Sequence, residues 1–495
     1  MKNRRDFLKL TSSYAGLAGL SSMGIPLSLF AEDGASLTGY KALIVVLQHG
    51  GNDSINMLVP SGSDTKKGYS NYATIRNSLA VANNDLTTGL TTTDGKLLLT
   101  SNPYEKNGDI AQSYTKGFYK HTNIDGLATN GMMPEFAHLV NEGKVAMVAN
   151  VGNLIAPATK AQFQNKTATK PPYLFAHDNQ RKLVFNGIAS QLEREGWAGL
   201  IADQWSKVNG GSVYSLNLGI NTASHLLYGA NSEPLIINSS GPNIYNTIKR
   251  PLYDGWLGLE SSERFKKLYV KLRKHSLSVQ DTLVQDWNNN TPTFSSTNAY
   301  GEELFSLPSA EKLSIIENGN VSFKLLKQLE AVAKLAYIGK KSGLKRQIFY
   351  VQHGGYDTHS KQSERHSSNL RELSLGLGDL QLALKEMGME NEVTTFNLSD
   401  FSRSVGNNGD GTDHAWGGQY FVMGGAVKSG LYGTLPDLTL GGEDDISKKG
   451  RLIPSTSMSQ YLGTIVKWFG ADESMLNILF PERVNFETKD LGFMV

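Results

Sequence analysis

A chain of 495 residues, 39% hydrophobic and 19% charged with a formal charge of +2, can bury a sizeable core and carries no electrostatic signature of nucleic-acid binding. It contains no cysteine, which excludes disulfides and thiolate metal sites. A metal would have to be held by His, Asp, Glu, Asn or Thr: zinc through imidazole and carboxylate, or calcium, magnesium or manganese through oxygen.

At the N-terminus, Asn3-Arg4-Arg5-Asp6-Phe7-Leu8-Lys9 precedes an apolar stretch rich in Gly, Ser and Ala from Leu10 to Phe30. The paired arginines followed by Phe-Leu-Lys resemble a twin-arginine export signal. This predicts a signal peptide over 1–31, passage through the twin-arginine export machinery, and a periplasmic or secreted mature chain. The stretch includes Pro26 and lacks the density of a membrane-spanning segment, and no other long apolar run follows, so no stable transmembrane segment is expected after processing. Residues 1–31 hold Lys2, Arg4, Arg5 and Lys9 against Asp6 alone, so the remainder is close to neutral.

Ala42 to Leu47 reads as the first core strand, with Asn56 to Pro60 as a short extended continuation. From Ser61 to Gly131 the composition turns to Ser, Thr, Asn and Gly, which predicts surface connections, with a helix-like piece at Tyr72–Arg76 and a solvated Arg76. Pro134 to Glu142 is a helix closed by Gly143, and Val145 to Val151 is a second buried strand. This strand-helix-strand alternation argues for a mostly parallel α/β sheet flanked by helices. Pro171 to Gln180 brings His177 and Asp178 into a stretch suited to a pocket wall, though a structural role fits an isolated His-Asp pair as well. A helix opens at Gly196-Trp197, and Ser215 to Ile220 and Pro234 to Ile237 are short strands. From about 257 to 343 the pattern is helical, broken at Asn288 to Ser296, and reads as a helical insertion. Gln347 to Gln352 is a buried strand, Ser363 to Met387 an amphipathic helix with a core-facing leucine stripe, and Val393 to Leu398 and Tyr420 to Met423 further strands.

Two copies of Gln-His-Gly-Gly-x-Asp begin at Gln48 and Gln352. Each ends an apolar strand with glycines that permit a sharp turn. In a parallel sheet, ligands bind outside the carboxyl ends of the strands. Asp53, Asp357 with His359, Asp400, and Asp413 with His414 all fall there or in the loops that follow. Singly, each aspartate reads as a turn former or helix cap. Together, four carboxylates and two imidazoles are about what a two-metal centre takes.

His49-Gly50-Gly51-Asn52-Asp53, Gly354-Gly355-Tyr356-Asp357-Thr358-His359 with Gln362, Ser399-Asp400-Phe401-Ser402-Arg403, Thr412-Asp413-His414-Ala415-Trp416-Gly417-Gly418 and Arg451-Leu452-Ile453-Pro454, with the leader, resemble the exported family called domain of unknown function 1501. The resemblance implies a single alkaline-phosphatase-like domain over 32–495, related to sulfatases and metal-dependent phosphatases. Asp413-His414 is similar to the metal pair of alkaline phosphatases, and Asp53 to their bridging aspartate. Asp357 with His359 is similar to the ligands of a second ion, although those enzymes space that Asp and His further apart. Relatives often carry Ser where this chain has Ala176, before His177, and His where it has Gln419. Thr159 and Thr169 are the nearest substitute hydroxyls.

The expected function is a metal-dependent hydrolase of small-molecule or polymer phosphate or sulfate esters. It would hold one or two divalent ions, zinc favoured, through Asp53, Asp357, His359, Asp413 and His414. Asp400 would be a further ligand or supporting carboxylate, with His177 and Arg403 lining the pocket. The alternative is a non-catalytic exported binding or envelope-assembly protein that keeps the fold and a structural metal.

Overall fold

Lys41–Gln48 (β1) is buried from Ala42 onward, and its alternate residues enter two different cores. That two-sided burial is why its sequence is continuously apolar. The computed structural model describes residues 34–93, 95–99, 114–210, 212, 214–242, 255, 264–306 and 323–495; the leader over 1–31 and parts of the predicted insertion lie outside them.

The remaining sheet strands are Val145–Gly152 (β2), Asn217–Ile220 (β3), Leu235–Ile237 (β4), Arg346–His353 (β5) and Val393–Ser399 (β6). A separate two-stranded ladder is formed by Arg403–Asn407 (β7) and Thr412–His414 (β8), and Gly418–Met423 (β9), Gly430–Tyr432 (β10) and Thr456–Ser457 (β11) return to the main sheet. The nine-stranded sheet runs β10-β2-β9-β6-β1-β5-β3-β4, with β11 also on β2. Every described pairing in it is parallel except those of β9, which is antiparallel to both β6 and β2. The expected α/β architecture, a mostly parallel sheet flanked by helices, is what forms.

Tyr69–Arg76 (α1) packs in a smaller separate core, and the helices on the two faces of the sheet are Pro134–Asn141 (α2), His177–Asn186 (α3), Trp197–Gln204 (α4), Arg264–Asn290 (α5), Lys324–Lys341 (α6), Gln362–Glu386 (α7) and Met458–Phe469 (α8). Ala42, Ile44 and Val46 share one core with α2, α6 and α7, while Leu43, Val45 and Leu47 share the other with α3, α4 and α8. The predicted leucine stripe of α7, Leu370, Leu373, Leu377, Leu380 and Leu384, is at most 1% exposed. Each such leucine contributes about 1.5–3 kcal/mol of transfer free energy. Within the predicted insertion, α5 and α6 are helical as expected, and α6 is an integral layer of the first core that feeds into β5 through Gly343.

Three expectations are corrected here. The segment 61–131 is not merely surface: with residues just before it, it builds a three-stranded sheet (Leu58–Pro60, Phe118–Tyr119, Leu127–Asn130) around Ile55, Val59, Tyr72 and Phe118. Asn56 falls in a short helix, Ser54–Met57, instead of an extended piece. Arg76, expected in solvent, is 0% exposed and ion-paired with Asp53. A buried guanidinium is tolerated because a carboxylate meets it.

The twin Gln-His-Gly-Gly phrases lie side by side on β1 and β5 but one residue out of step, with Gln48 opposite His353. Since strand side chains alternate with period two, that offset gives the copies different surroundings. Gln48 joins a buried amide network with Asn52 and Asn397, whereas His353 is buried against Glu372 and Tyr356.

Asp379 on α7 is 2% exposed, and burial raises its carboxyl to about 7 despite the amide of Phe305 donating to it. The unfolded carboxyl titrates near 3.8, so between that value and 7 the folded state holds the extra proton and stability falls as pH rises. Asp379→Asn should therefore gain stability over the wild type on going from pH 4 to pH 8, by up to a few kcal/mol in urea unfolding, with no further gain above pH 8.

Candidate metal centre

Three imidazoles and a carboxylate from three segments meet at the carboxyl end of the sheet. His177 opens α3, Asp357 and His359 follow β5, and His414 ends β8 directly opposite Arg403 of β7. Nε2 of His414 lies 3.0 Å from Nε2 of His177 and 2.8 Å from Nε2 of His359. Oδ1 of Asp357 lies 3.2 Å from His359 Nε2, 3.4 Å from His414 Nε2 and 3.6 Å from His177 Nε2.

The outer nitrogens fix what these inner atoms are. His414 Nδ1 must donate to the Phe175 carbonyl at 2.9 Å, and His177 Nδ1 donates to Asp400 Oδ2 at 2.8 Å. In the neutral tautomers this leaves bare lone pairs on both Nε2 atoms. Burial lowers the pKa of His414, and although the Phe175 carbonyl opposes this, the nearby His177, Arg403 and His359 push the same way, towards the neutral ring. Lone pairs at 2.8–3.0 Å repel unless a proton or a cation sits between them. A tetrahedral ion with ligands at about 2.0–2.1 Å would separate its donors by roughly 3.3–3.4 Å; among the described residues His177, Asp357 and His414 offer atoms mutually close enough to share an ion, and His359 adjoins His414 and Asp357. His177, Asp357 and His414 are a set that could hold a divalent ion, with partners behind the imidazoles of the kind that orient metal ligands.

Local structure explains the convergence. Gly50 and Gly51 have φ of 116° and 79°. A Cβ on Gly50 would sit 2.6 Å from the Asp357 amide nitrogen, and one on Gly51 2.5 Å from the Phe401 ring. The bare backbone lets the Asp357 loop close over β1 and lets Phe401 slide beneath the imidazoles, 4.7 Å from the rings of both His177 and His414. Phe175, at φ 78°, turns its carbonyl to His414. Asp357 is half exposed; burial alone would raise its pKa, but the Arg403 guanidinium bonded to Oδ1 outweighs this and holds the carboxyl below its usual range. Burial lowers the pKa of Arg403 itself, with Asp357 opposing, and its Nε is buried without a partner.

Of the expected ligands, Asp357, His359 and His414 come together, and His177, expected only to line the pocket, joins them. Asp53 does not: it caps the short helix Ser54–Met57, and both its oxygens are bonded to Arg76, at 2.6 and 2.8 Å. Asp400 stands behind His177, where its Oδ2 also accepts from the Gly50 amide, and its Oδ1 is buried without a partner. Asp413 stands outside the donor set, 3.8 Å from His359 Nδ1 and 3.5 Å from Lys449. Thr159 caps the helix Lys160–Gln164 and Thr169 is exposed, so the structure brings neither hydroxyl to the cluster.

Sequence reading assigned no role to His49 or Arg181. Arg181 donates to His49 Nε2 at 2.8 Å and to Asp400 at 3.4 Å, and it pairs with Asp178. Its position four residues after His177, on the same helix face, was the available signal. These residues wall a cleft of about 630 Å³ that also includes Asp357, Lys361 and Arg365.

Residues 341–452 match the family described as a protein of unknown function, DUF1501. The DUF1501 segment holds Asp357, His359, Asp400, Arg403, Asp413 and His414; His177, His49 and Arg181 precede it. No curated protein matches the chain. Similar solved structures include Ps i-CgsB, with TM-score 0.31 and 10% identity over 88% of this chain and 74% of that one. The lipoteichoic acid synthase LtaP from Listeria monocytogenes gives 0.28 and 7% over 81% and 73%. The PsFucS1 sulfatase from Pseudoalteromonas sp. gives 0.25 and 12% over 92% and 73%. No helix among the described residues is long and apolar enough to cross a membrane.

Gly51→Ala should displace Phe401 and loosen His177 and His414 together. The expected result is a loss of at least about 1 kcal/mol in chemical denaturation, with shifted imidazole resonances for both histidines and none for the remote His138.

Proposed function

We propose that this protein is an exported hydrolase of phosphate or sulfate esters with a divalent metal centre, zinc foremost, held by His177, His359, His414 and Asp357. The observation that carries the reading is the meeting of His177, His414 and Asp357 within 3.0–3.6 Å, with His359 Nε2 2.8 Å from His414 and 3.2 Å from Asp357. When bound, such an ion supplies Lewis acidity beside the ester and lowers the pKa of an attacking group.

The chain's own residues do the rest. Arg181, fixed by His49 and Asp400, and Lys361 and Arg365 face the cleft and attract an anionic ester. Arg403 orients Asp357 by direct hydrogen bonding. α3 begins at His177 without a side-chain cap, so its first amides add positive potential beside the cluster. Ala176 offers no hydroxyl for a covalent intermediate, which leaves water as the attacking group. The leader Arg4-Arg5-Asp6-Phe7-Leu8-Lys9 supports export by the twin-arginine route, and residues 32–495 are read as one alkaline-phosphatase-like domain that includes the insertion expected at about 257–343.

A second reading, an exported binding or envelope-assembly protein with a structural ion, is favoured by the donor count and by Ala176. Four protein donors close a tetrahedral ion, as in structural sites, whereas catalytic ions keep a position open. Asp357, half exposed at the cleft wall, is the donor whose displacement would open one.

Metal analysis followed by a panel of aryl phosphate and sulfate esters separates these readings. The hydrolase reading expects metal that survives purification or can be restored, turnover by the wild type, and a loss of about 100-fold or more in both metal affinity and kcat/KM for His414→Ala. Bound metal without turnover on any ester would favour the structural-ion reading, and no restorable metal would refute both.

A further inference from the structure

Arg76 lies in a Ser/Thr/Asn-rich stretch and is nevertheless fully buried, bidentate on a carboxylate that ends the central strand. We infer that Arg76 is a built-in cation that takes up Asp53 and limits the centre to one divalent ion, while the Arg76–Asp53–Gln362 unit positions the metal-binding loops. This rests on the metal reading above and narrows it.

The carboxylates around the cluster leave no second set of donors. Asp53 is claimed through both oxygens by Arg76, and Gln362 Nε2 donates to Oδ2 as well. Asp400 Oδ2 is shared by His177, the Gly50 amide and Arg181. Asp413 faces Lys449, and its amide is held by Ser404 Oγ at 3.0 Å. Asp400 Oδ1 is buried without a partner, but it is one donor, and an ion needs several. Two buried guanidinium groups, Arg76 and Arg403, already stand among these acids, so a second divalent ion would meet positive charge.

The same unit reaches the ligand loops through Gln362. Its Oε1 accepts from Thr358 Oγ1 at 3.1 Å and from Thr412 Oγ1 at 2.6 Å. Thr358 lies between Asp357 and His359, and Thr412 begins the strand that ends at His414. The Thr412 amide in turn donates to the Thr358 carbonyl at 3.1 Å, tying the two loops together. Gln362 is 0% exposed and its amide group is fixed on both sides, Nε2 by Asp53 and Oε1 by the two threonines. Arg76 and Gln362 therefore act through Asp53 and the threonines, as positioning residues.

The test is cobalt and zinc stoichiometry on the full mature chain, by elemental analysis and by cobalt absorption, for the wild type, Asp53→Asn/Arg76→Met and Gln362→Met. The double variant removes both charges while keeping the shape, so folding does not depend on leaving one charge unpaired. The expected results are one ion per chain at saturating cobalt in all three, and about tenfold weaker cobalt binding in the double variant and in Gln362→Met, since both break the positioning unit. Two ions in the wild type would overturn the one-ion limit, and failure of the double variant to bind any ion at saturating cobalt would make Asp53 a ligand and overturn it as well. Unchanged cobalt affinity in Gln362→Met would overturn the positioning role. No ion in any of the three would instead refute the metal reading beneath it.

Discussion

The unprotonated Nε2 atoms of His177 and His414 face each other at 3.0 Å, with His359 Nε2 and a carboxylate oxygen of Asp357 beside them. Much around them holds that arrangement in place. Asp400 and the Phe175 carbonyl turn His177 and His414 so that Nε2 faces inward. Arg403 secures Asp357 from the side, and Phe401 supports two of the rings from below. Gly50 and Gly51 allow these loops to approach within contact distance. A cation bound among them would offset the repulsion of the facing lone pairs.

The frame grows out of the sheet. β1, β5 and β6 run parallel in the middle and end at the same edge, so their following loops are neighbours although they lie far apart in sequence. The strands and the long helix α7 were legible in the sequence because burial on both faces, or a leucine stripe at helical spacing, is a local pattern. Asp357, His359 and His414 were legible for the same reason: each follows a strand, in loops rich in glycine.

What was hidden depended on contacts distant in sequence. Nothing local to Asp53 announces that Arg76 will claim it, and a Ser/Thr/Asn-rich stretch gives no hint of a buried arginine. The twin phrases implied equivalent aspartates, but a one-residue offset between β1 and β5 gave them different roles. His177 looked no better than a structural histidine until the turn at Phe175 brought it to His414. Asp400 and Asp413 lie near the ligands yet stand behind them, a distinction of a few ångströms that spacing cannot resolve. The cleft adds what motifs omit: Arg181, Lys361 and Arg365, set among the acids Asp178, Asp357 and Glu364.

X-ray absorption at the zinc edge of the metal-loaded protein tests the central claim most directly. The account predicts a four-coordinate first shell of three imidazole nitrogens and one oxygen at about 2.0–2.2 Å, with the multiple-scattering pattern of imidazole. A shell of six oxygens, or one with fewer than two imidazoles, would contradict it.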